Sequence, residues 1–237
     1  MRERKAQKIL RQVRNTYSEI AEDFDRTRKN AGKEFKEFAK YVKENSHIID
    51  LGCGNGRLLF FLQELFKNNP KPFYKYLGID NSPSLLKIAK KNFPHQNFIE
   101  GDQLKIPVEH GIADIVFNIR AFHHIPSKKM RIQALNEMNR ILRENGILII
   151  TVWNLWQKKY LKYILGGILR FIYTLGGYAP NDTLIPWGKK ARRYYHAFTP
   201  MELHKLVSGC GFEIEELYYV SHDIVIVAKK VTPTHDQ

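Results

Sequence analysis

The sequence predicts an α/β protein built on a mostly parallel, doubly wound sheet of seven strands that closes with a C-terminal antiparallel hairpin. Three observations carry this. Apolar strand-like runs alternate with helical patterns from residue 47 to 150, a glycine-rich turn follows the first run, and an acidic residue stands at the end of each of the first three runs. With 237 residues the chain can bury one full core, and no internal repeat or low-complexity tract divides it. We read one domain in four parts: a helical N-terminal extension over 1–45, a ligand-binding core over 46–153, a helical lid insert over 154–198, and a C-terminal helix with hairpin over 199–237.

The first strand is Ile48, Ile49 and Leu51, and Gly52, Gly54 and Gly56 then let the backbone turn sharply and approach a ligand before a helix that starts at Arg57. A dinucleotide fingerprint places its third glycine five residues after the first. Here it falls four after, and Arg57 occupies the corresponding position. Asp50 would repel a pyrophosphate, whereas a carboxylate beside a glycine turn suits a cation such as the sulfonium and ammonium of S-adenosylmethionine (SAM). The second strand, Tyr74 to Ile79, ends in Asp80, placed to accept from ribose hydroxyls, and Ser82 before Pro83 predicts a cap for a helix over 83–92. The third strand, from Asn97, leads to Asp102, placed to receive a donor such as the adenine amino group. For either aspartate alone, a solvated strand end or helix cap is the competing reading. The cofactor set is thus Asp50, Gly52, Cys53, Gly54, Asp80, Asn81, Asp102, Gln103 and Asn118, and no metal is expected. The D-x-G-x-G-x-G run resembles the first motif of the class I SAM-dependent methyltransferases.

The net charge of +14 is unevenly spread. Residues 1–43 hold +6, 44–150 hold +4, 151–200 hold +7 and 201–237 hold −3. Cations therefore concentrate in the two segments flanking the cofactor core, which favours a polyanionic substrate over plain solubility charge. Trp153, Trp156, Tyr160, Trp187, Tyr194 and Tyr195 lie among them, as a surface stacking on splayed RNA bases requires. Two cysteines, Cys53 and Cys210, make no disulfide framework and fit a reducing cytoplasm, and the charged N-terminus lacks the apolar stretch of a secretion signal.

The fourth strand, Ala113 to Ile119, leaves through Arg120-Ala-Phe-His-His124. This puts Asn118, Arg120, His123 and His124 near the carboxyl ends of the strands, where ligands bind in open α/β sheets. Ser127 caps the next helix, a fifth strand runs from Ile147 to Trp153, and Phe212–Val220 with Ile224–Ala228 form the hairpin. Taken with Tyr17, Phe24, Asp25 and Arg28 ahead of the glycine turn, and Pro186-Trp187 and Arg193-Tyr-Tyr-His196 after it, the chain from about Tyr17 to Phe212 resembles the wobble-uridine carboxymethyl tRNA methyltransferases. That resemblance implies tRNA as partner, methyl esterification of a 5-carboxymethyluridine, and a small zinc-binding activator protein docked on the catalytic chain. A carboxylate acceptor is ionised at neutral pH and needs no general base, so positioning is the task. On this reading Arg28, Arg193 and His196 hold the carboxymethyl group and His123 orients the uracil. An Arg28–Asp25 ion pair and an Arg193–phosphate contact are the competing readings. The segment 158–177 is apolar on most faces yet carries Lys162 and Arg170, and is too short and charged to span a bilayer. It fits either an insert packed over the site or a helix lying on a membrane surface. The second option would suit a lipidic, quinone-precursor-type acceptor, and a non-catalytic RNA-binding module of the same fold is a third possibility.

Overall fold

The computed structural model describes residues 1–28, 33–67, 74–175 and 177–231. Gly176, within the apolar segment, lies outside them. One seven-stranded sheet runs through the molecule in the order β3-β2-β1-β4-β5-β9-β8. Its parallel half consists of β1 (Ser46–Leu51), β2 (Tyr74–Asp80), β3 (Asn97–Glu100), β4 (Ala113–Ile119) and β5 (Leu142–Trp153). The C-terminal hairpin, β8 (Phe212–Val220) and β9 (Asp223–Lys230), joins antiparallel along β5. The strand order reverses between β1 and β4, which opens a crevice at their carboxyl ends.

Helices cover both faces because each carries one apolar stripe. On one face α5 (Lys128–Ile141) and α7 (Pro200–Ser208) bury Leu135, Met138, Leu203 and Val207 against Val116, Leu148 and Ile226. Truncating such a fully enclosed leucine costs roughly 2–5 kcal/mol. On the other, α3 (Arg57–Leu65), α4 (Pro83–Asn92) and a 3-10 segment over Lys33–Tyr41 bury Phe35, Phe38, Leu58, Leu62 and Leu86 against Ile48, Phe117 and Val227. The expected caps form: Leu85 N–H donates to Ser82 Oγ (3.4 Å) and Met130 N–H to Ser127 Oγ (3.2 Å). The fifth strand starts earlier than its apolar run, because Leu142 already pairs with Ala113 before the irregularity that precedes Ile147.

The N-terminal extension is α1 (Glu3–Glu19) and α2 (Ala21–Arg26), lying across the crevice. The insert corrects the expectation of a helical lid. Only α6 (Leu161–Tyr173) is a long helix, and a two-stranded antiparallel sheet follows it, β6 (Asp182–Trp187) and β7 (Ala191–His196). A small third core of Leu155, Ile164, Ile185, Tyr195 and Ala197 ties these pieces together.

Candidate active site

The crevice is a cleft of about 1290 Å³, open mouth included, lined by both the glycine turn and the N-terminal extension. At its floor β1 delivers Asp50 and then turns through Gly52, whose φ of +80° is left-handed. A Cβ there would come within 2.4 Å of the Ala121 Cβ, so the turn that follows β1 and the exit from β4 can meet only across a glycine. Gly54 N–H donates to Asp80 Oδ2 (2.9 Å) and Ser82 N–H to Asp80 Oδ1 (2.8 Å), so Asp80 staples the turn to β2 while lining the cleft. Asp102 accepts from Leu104 N–H (2.9 Å) and stands with Asn81 and Gln103 on the same wall.

Asp50 is buried, and its carboxyl is pushed up to about 7, mainly by loss of solvent and then by Asp80, against a 2.9 Å hydrogen bond from Tyr76 O–H. Burial likewise raises Asp80, opposed by its backbone donors. Two carboxyls held uncomfortably in a dry pocket are what a bound cation would relieve. This donor set fits SAM: Asp50 toward the ammonium, Asp80 toward ribose, Asp102 and Gln103 toward adenine.

At the other end of the cleft the charge reverses. Arg193, on β7, is 5% exposed; among the described residues it has no carboxylate partner, and its Nε is buried without any hydrogen-bond acceptor. Its guanidinium lies over Trp187 (4.6 Å), Tyr195 (5.1 Å) and Trp153 (5.7 Å), and its Nη1 donates to Tyr17 Oη (3.4 Å). Arg28 lies over Phe24 and Trp187 and, among the described residues, donates only to Thr27; its pKa is lowered by burial, then by Arg120 and Arg193. The Arg28–Asp25 ion pair does not form. Asp25 Oδ1 instead accepts from Asn55 (2.9 Å) and Asn92 (3.1 Å), pinning the extension to the glycine turn. Arg120, by contrast, is held by Asp223 at 2.8 Å.

The paired histidines take opposite tautomers. Trp153 N–H donates to His123 Nδ1 (3.0 Å), so the proton of His123 is on Nε2. His124 Nδ1 donates to the Tyr194 carbonyl (2.7 Å), leaving its Nε2 to accept from Tyr17 O–H (2.8 Å). Burial lowers both; His123 is lowered also by His124, Arg120 and Arg193, and burial with Arg193 brings His124 to about 3. Both are neutral, and His123 lines the cleft as a hydrogen-bond donor.

The structure thus gathers Arg28, His123, Arg193, Asp50, Gly52, Cys53, Gly54, Asp80, Asn81, Asp102 and Gln103 around one cleft. Two residues do not join them. Asn118 stands behind Gln103, donating to its Oε1 (2.6 Å). His196 is buried between Asp182 (2.9 Å) and Glu202 (2.8 Å), both ring nitrogens engaged away from the cleft, so it anchors β7 instead of touching an acceptor. Nor do all the aromatics form a stacking surface: Tyr194 and Tyr195 are buried, and Tyr194 O–H donates to Asp182 (2.6 Å). Tyr17, which the sequence marks only by its fixed spacing from Phe24 and Arg28, proves to link Arg193 to His124.

Fold and cleft have the architecture of the class I SAM-dependent methyltransferases, and residues 49–150 match the family model described as a methyltransferase domain. The particular relatives narrow the comparison. The chain is 34% identical over 158 residues to the tRNA (carboxymethyluridine(34)-5-O)-methyltransferase of Macaca fascicularis, 65% of this chain but 22% of that protein. It therefore spans about a fifth of the length of that vertebrate relative. It is 28% identical over 241 residues to the enzyme of the same name from Schizosaccharomyces pombe, 92% of this chain and 96% of the relative. A ubiquinone/menaquinone biosynthesis C-methyltransferase from Campylobacter jejuni is 30% identical over 60% of the chain and 64% of its own. Among solved structures, a SAM-dependent methyltransferase from Methanosarcina mazei superposes with a TM-score of 0.69 at 20% identity, covering 85% of this chain and 99% of that one. A complex between the Haloferax volcanii Trm112 methyltransferase activator and a methyltransferase gives 0.66 at 16%, covering 94% and 99%. These two likenesses concern the fold.

Proposed function

We propose that the chain transfers a methyl group from SAM to the carboxylate of a wobble 5-carboxymethyluridine in tRNA, forming the methyl ester. The observation that carries this reading is Arg193, a buried cation with no anionic partner among the described residues, at the acceptor end of the cleft. A buried unpaired charge costs several kcal/mol, roughly 3–5 when a pair is broken, so such a residue is kept where a ligand supplies the counter-charge. Arg28, lowered by burial and by its two arginine neighbours, asks for the same anion.

Bound SAM supplies an electrophilic methyl on a sulfonium. The chain's residues supply placement. Arg193 and Arg28 hold the carboxylate, which is already ionised and needs no base. His123, with its proton on Nε2, donates to a uracil carbonyl. As the carboxylate oxygen bonds to the methyl carbon, the carbon–sulfur bond breaks and its electrons stay on sulfur, so no proton has to move. The relatives named for this activity support the reading, and with it comes a small activator protein of the kind in the Haloferax complex, and a cytoplasmic setting. A neutral quinone-type ring would leave both arginines uncompensated, and a non-catalytic RNA module would have no use for the Asp50 and Asp80 carboxyls lining the cleft.

The test is nucleoside mass spectrometry of carboxymethyluridine-bearing tRNA incubated with protein, SAM and, in one arm, an activator. The methyl ester is expected, and Arg193→Met should lower turnover at least about a hundredfold while SAM binding by calorimetry stays within about twofold. Tight SAM binding with no ester in either arm overturns the proposal.

A further inference from the structure

Nine of the thirteen exposed large apolar side chains among the described residues fall between Trp156 and Leu175. They are not scattered. Leu161, Leu165, Ile168, Leu169 and Ile172 recur at helical spacing on the outer face of α6, with Leu165 60% and Leu169 67% exposed. The opposite face is spoken for: Ile164 is buried in the small core, and Gly167 lies so close to β6 that a Cβ would meet the Asp182 carbonyl at 2.5 Å. α6 is therefore fixed to the insert by one face and presents an apolar stripe with the other, and does not pack over the cleft.

Charge indicates what the stripe meets. Lys158, Lys159 and Lys162 are exposed beside its N-terminal end, Arg170 turns back over Tyr178, and no acidic residue lies between Asn154 and Asn181. A second copy of the chain would set these lysines against one another. A single apolar helical stripe with cations and aromatic residues at its border matches an interface between anionic headgroups and acyl chains. No described helix is long and apolar enough to cross a membrane, so the arrangement is one of lying on the surface.

We propose that α6 docks this protein on an anionic bilayer, its Leu161–Ile172 stripe entering the headgroup boundary and Lys158, Lys159 and Lys162 contacting lipid phosphates. This is independent of which acceptor is methylated, because docking is measured without tRNA or SAM.

The experiment is co-sedimentation of the full chain with vesicles of phosphatidylglycerol and phosphatidylcholine, and with phosphatidylcholine alone. Pelleting is expected only with the anionic vesicles. Because a chain of charge +14 adheres to anionic lipid by any basic face, the decisive variant keeps the charge: Leu165→Gln with Leu169→Gln should lower partitioning at least about tenfold. Lys158→Gln with Lys159→Gln should lower it by about fivefold per lysine. Met201→Gln, at an exposed apolar side chain elsewhere, should change nothing, and circular dichroism checks that each variant is folded. Failure to pellet with anionic vesicles overturns the proposal. So does pelleting unchanged in the leucine variant, or a concentration-dependent dimer that the leucine variant dissociates.

Discussion

Asp50 is the residue whose chemistry most directly couples ligand to solvent conditions. Its folded-state pKa of about 7 is raised above the ordinary carboxylate value of about 4. The folded state thus holds a proton that the unfolded state has lost between those values, so Asp50's contribution to stability declines as pH rises from about 4 to about 7. Cofactor binding has the opposite slope, since a cation needs the carboxylate. SAM affinity measured by calorimetry should fall about tenfold from pH 8 to pH 6, and Asp50→Asn should weaken binding and flatten that dependence. A wild-type affinity indifferent to pH over this range would show that Asp50 does not meet the cation. The residue was legible in the sequence because it heads the glycine turn. Arg193 was legible as a cation near the acceptor, but its lack of a partner was not, since a pairing is visible only once the chain has folded. His196 misled for the same reason: a histidine beside two tyrosines and an arginine reads as a site residue until Asp182 and Glu202 are seen to take both of its nitrogens.

The β6–β7 hairpin shows where element-level reading stops. Strands are recognised by alternation, and β7 does not alternate: Arg193, Tyr194, Tyr195 and His196 are all buried, polar side chains included. Such a strand stays in place only if most of its polar groups find partners, and Asp182 provides them for Tyr194 and His196. It accepts from Tyr194 O–H (2.6 Å), His196 Nδ1 (2.9 Å) and Ala179 N–H (2.7 Å), with Arg131 3.9 Å away. Asp182→Ala is expected to cost about 3–5 kcal/mol, because it removes the acceptor of three donors, whereas Arg131 keeps Glu202 at 3.7 Å. Urea denaturation measures this, and a cost below about 1 kcal/mol would mean that the hairpin is anchored elsewhere. In contrast β1, β2 and β4 were legible almost to the residue, since apolar runs bounded by glycine or aspartate leave few alternatives.

At the scale of the whole molecule, the uneven charge suits the polyanionic substrate proposed above. Arg4, Lys8 and Arg11 lie exposed along α1, and Lys189 and Arg192 on the insert. If several of these meet phosphates, tRNA affinity should weaken at least about tenfold between roughly 50 and 200 mM salt. Arg4→Gln with Lys8→Gln and Arg11→Gln should then lower the slope of log affinity against log salt by about one for each phosphate no longer neutralised. A filter-binding series reads both, and a salt-independent affinity would remove the cations from the interface. The sheet order was legible from alternating strand and helix patterns. The route of the insert was not, because it is fixed by a handful of buried polar contacts.

The hydrogen-bonded line from Arg193 through Tyr17 to His124 joins residues 176 and 107 positions apart. It therefore sets an order on biosynthesis. Tyr17 is made before either of its partners, so the line closes only after β7 has left the ribosome, later than the glycine turn and the wall at Asp102 and Gln103.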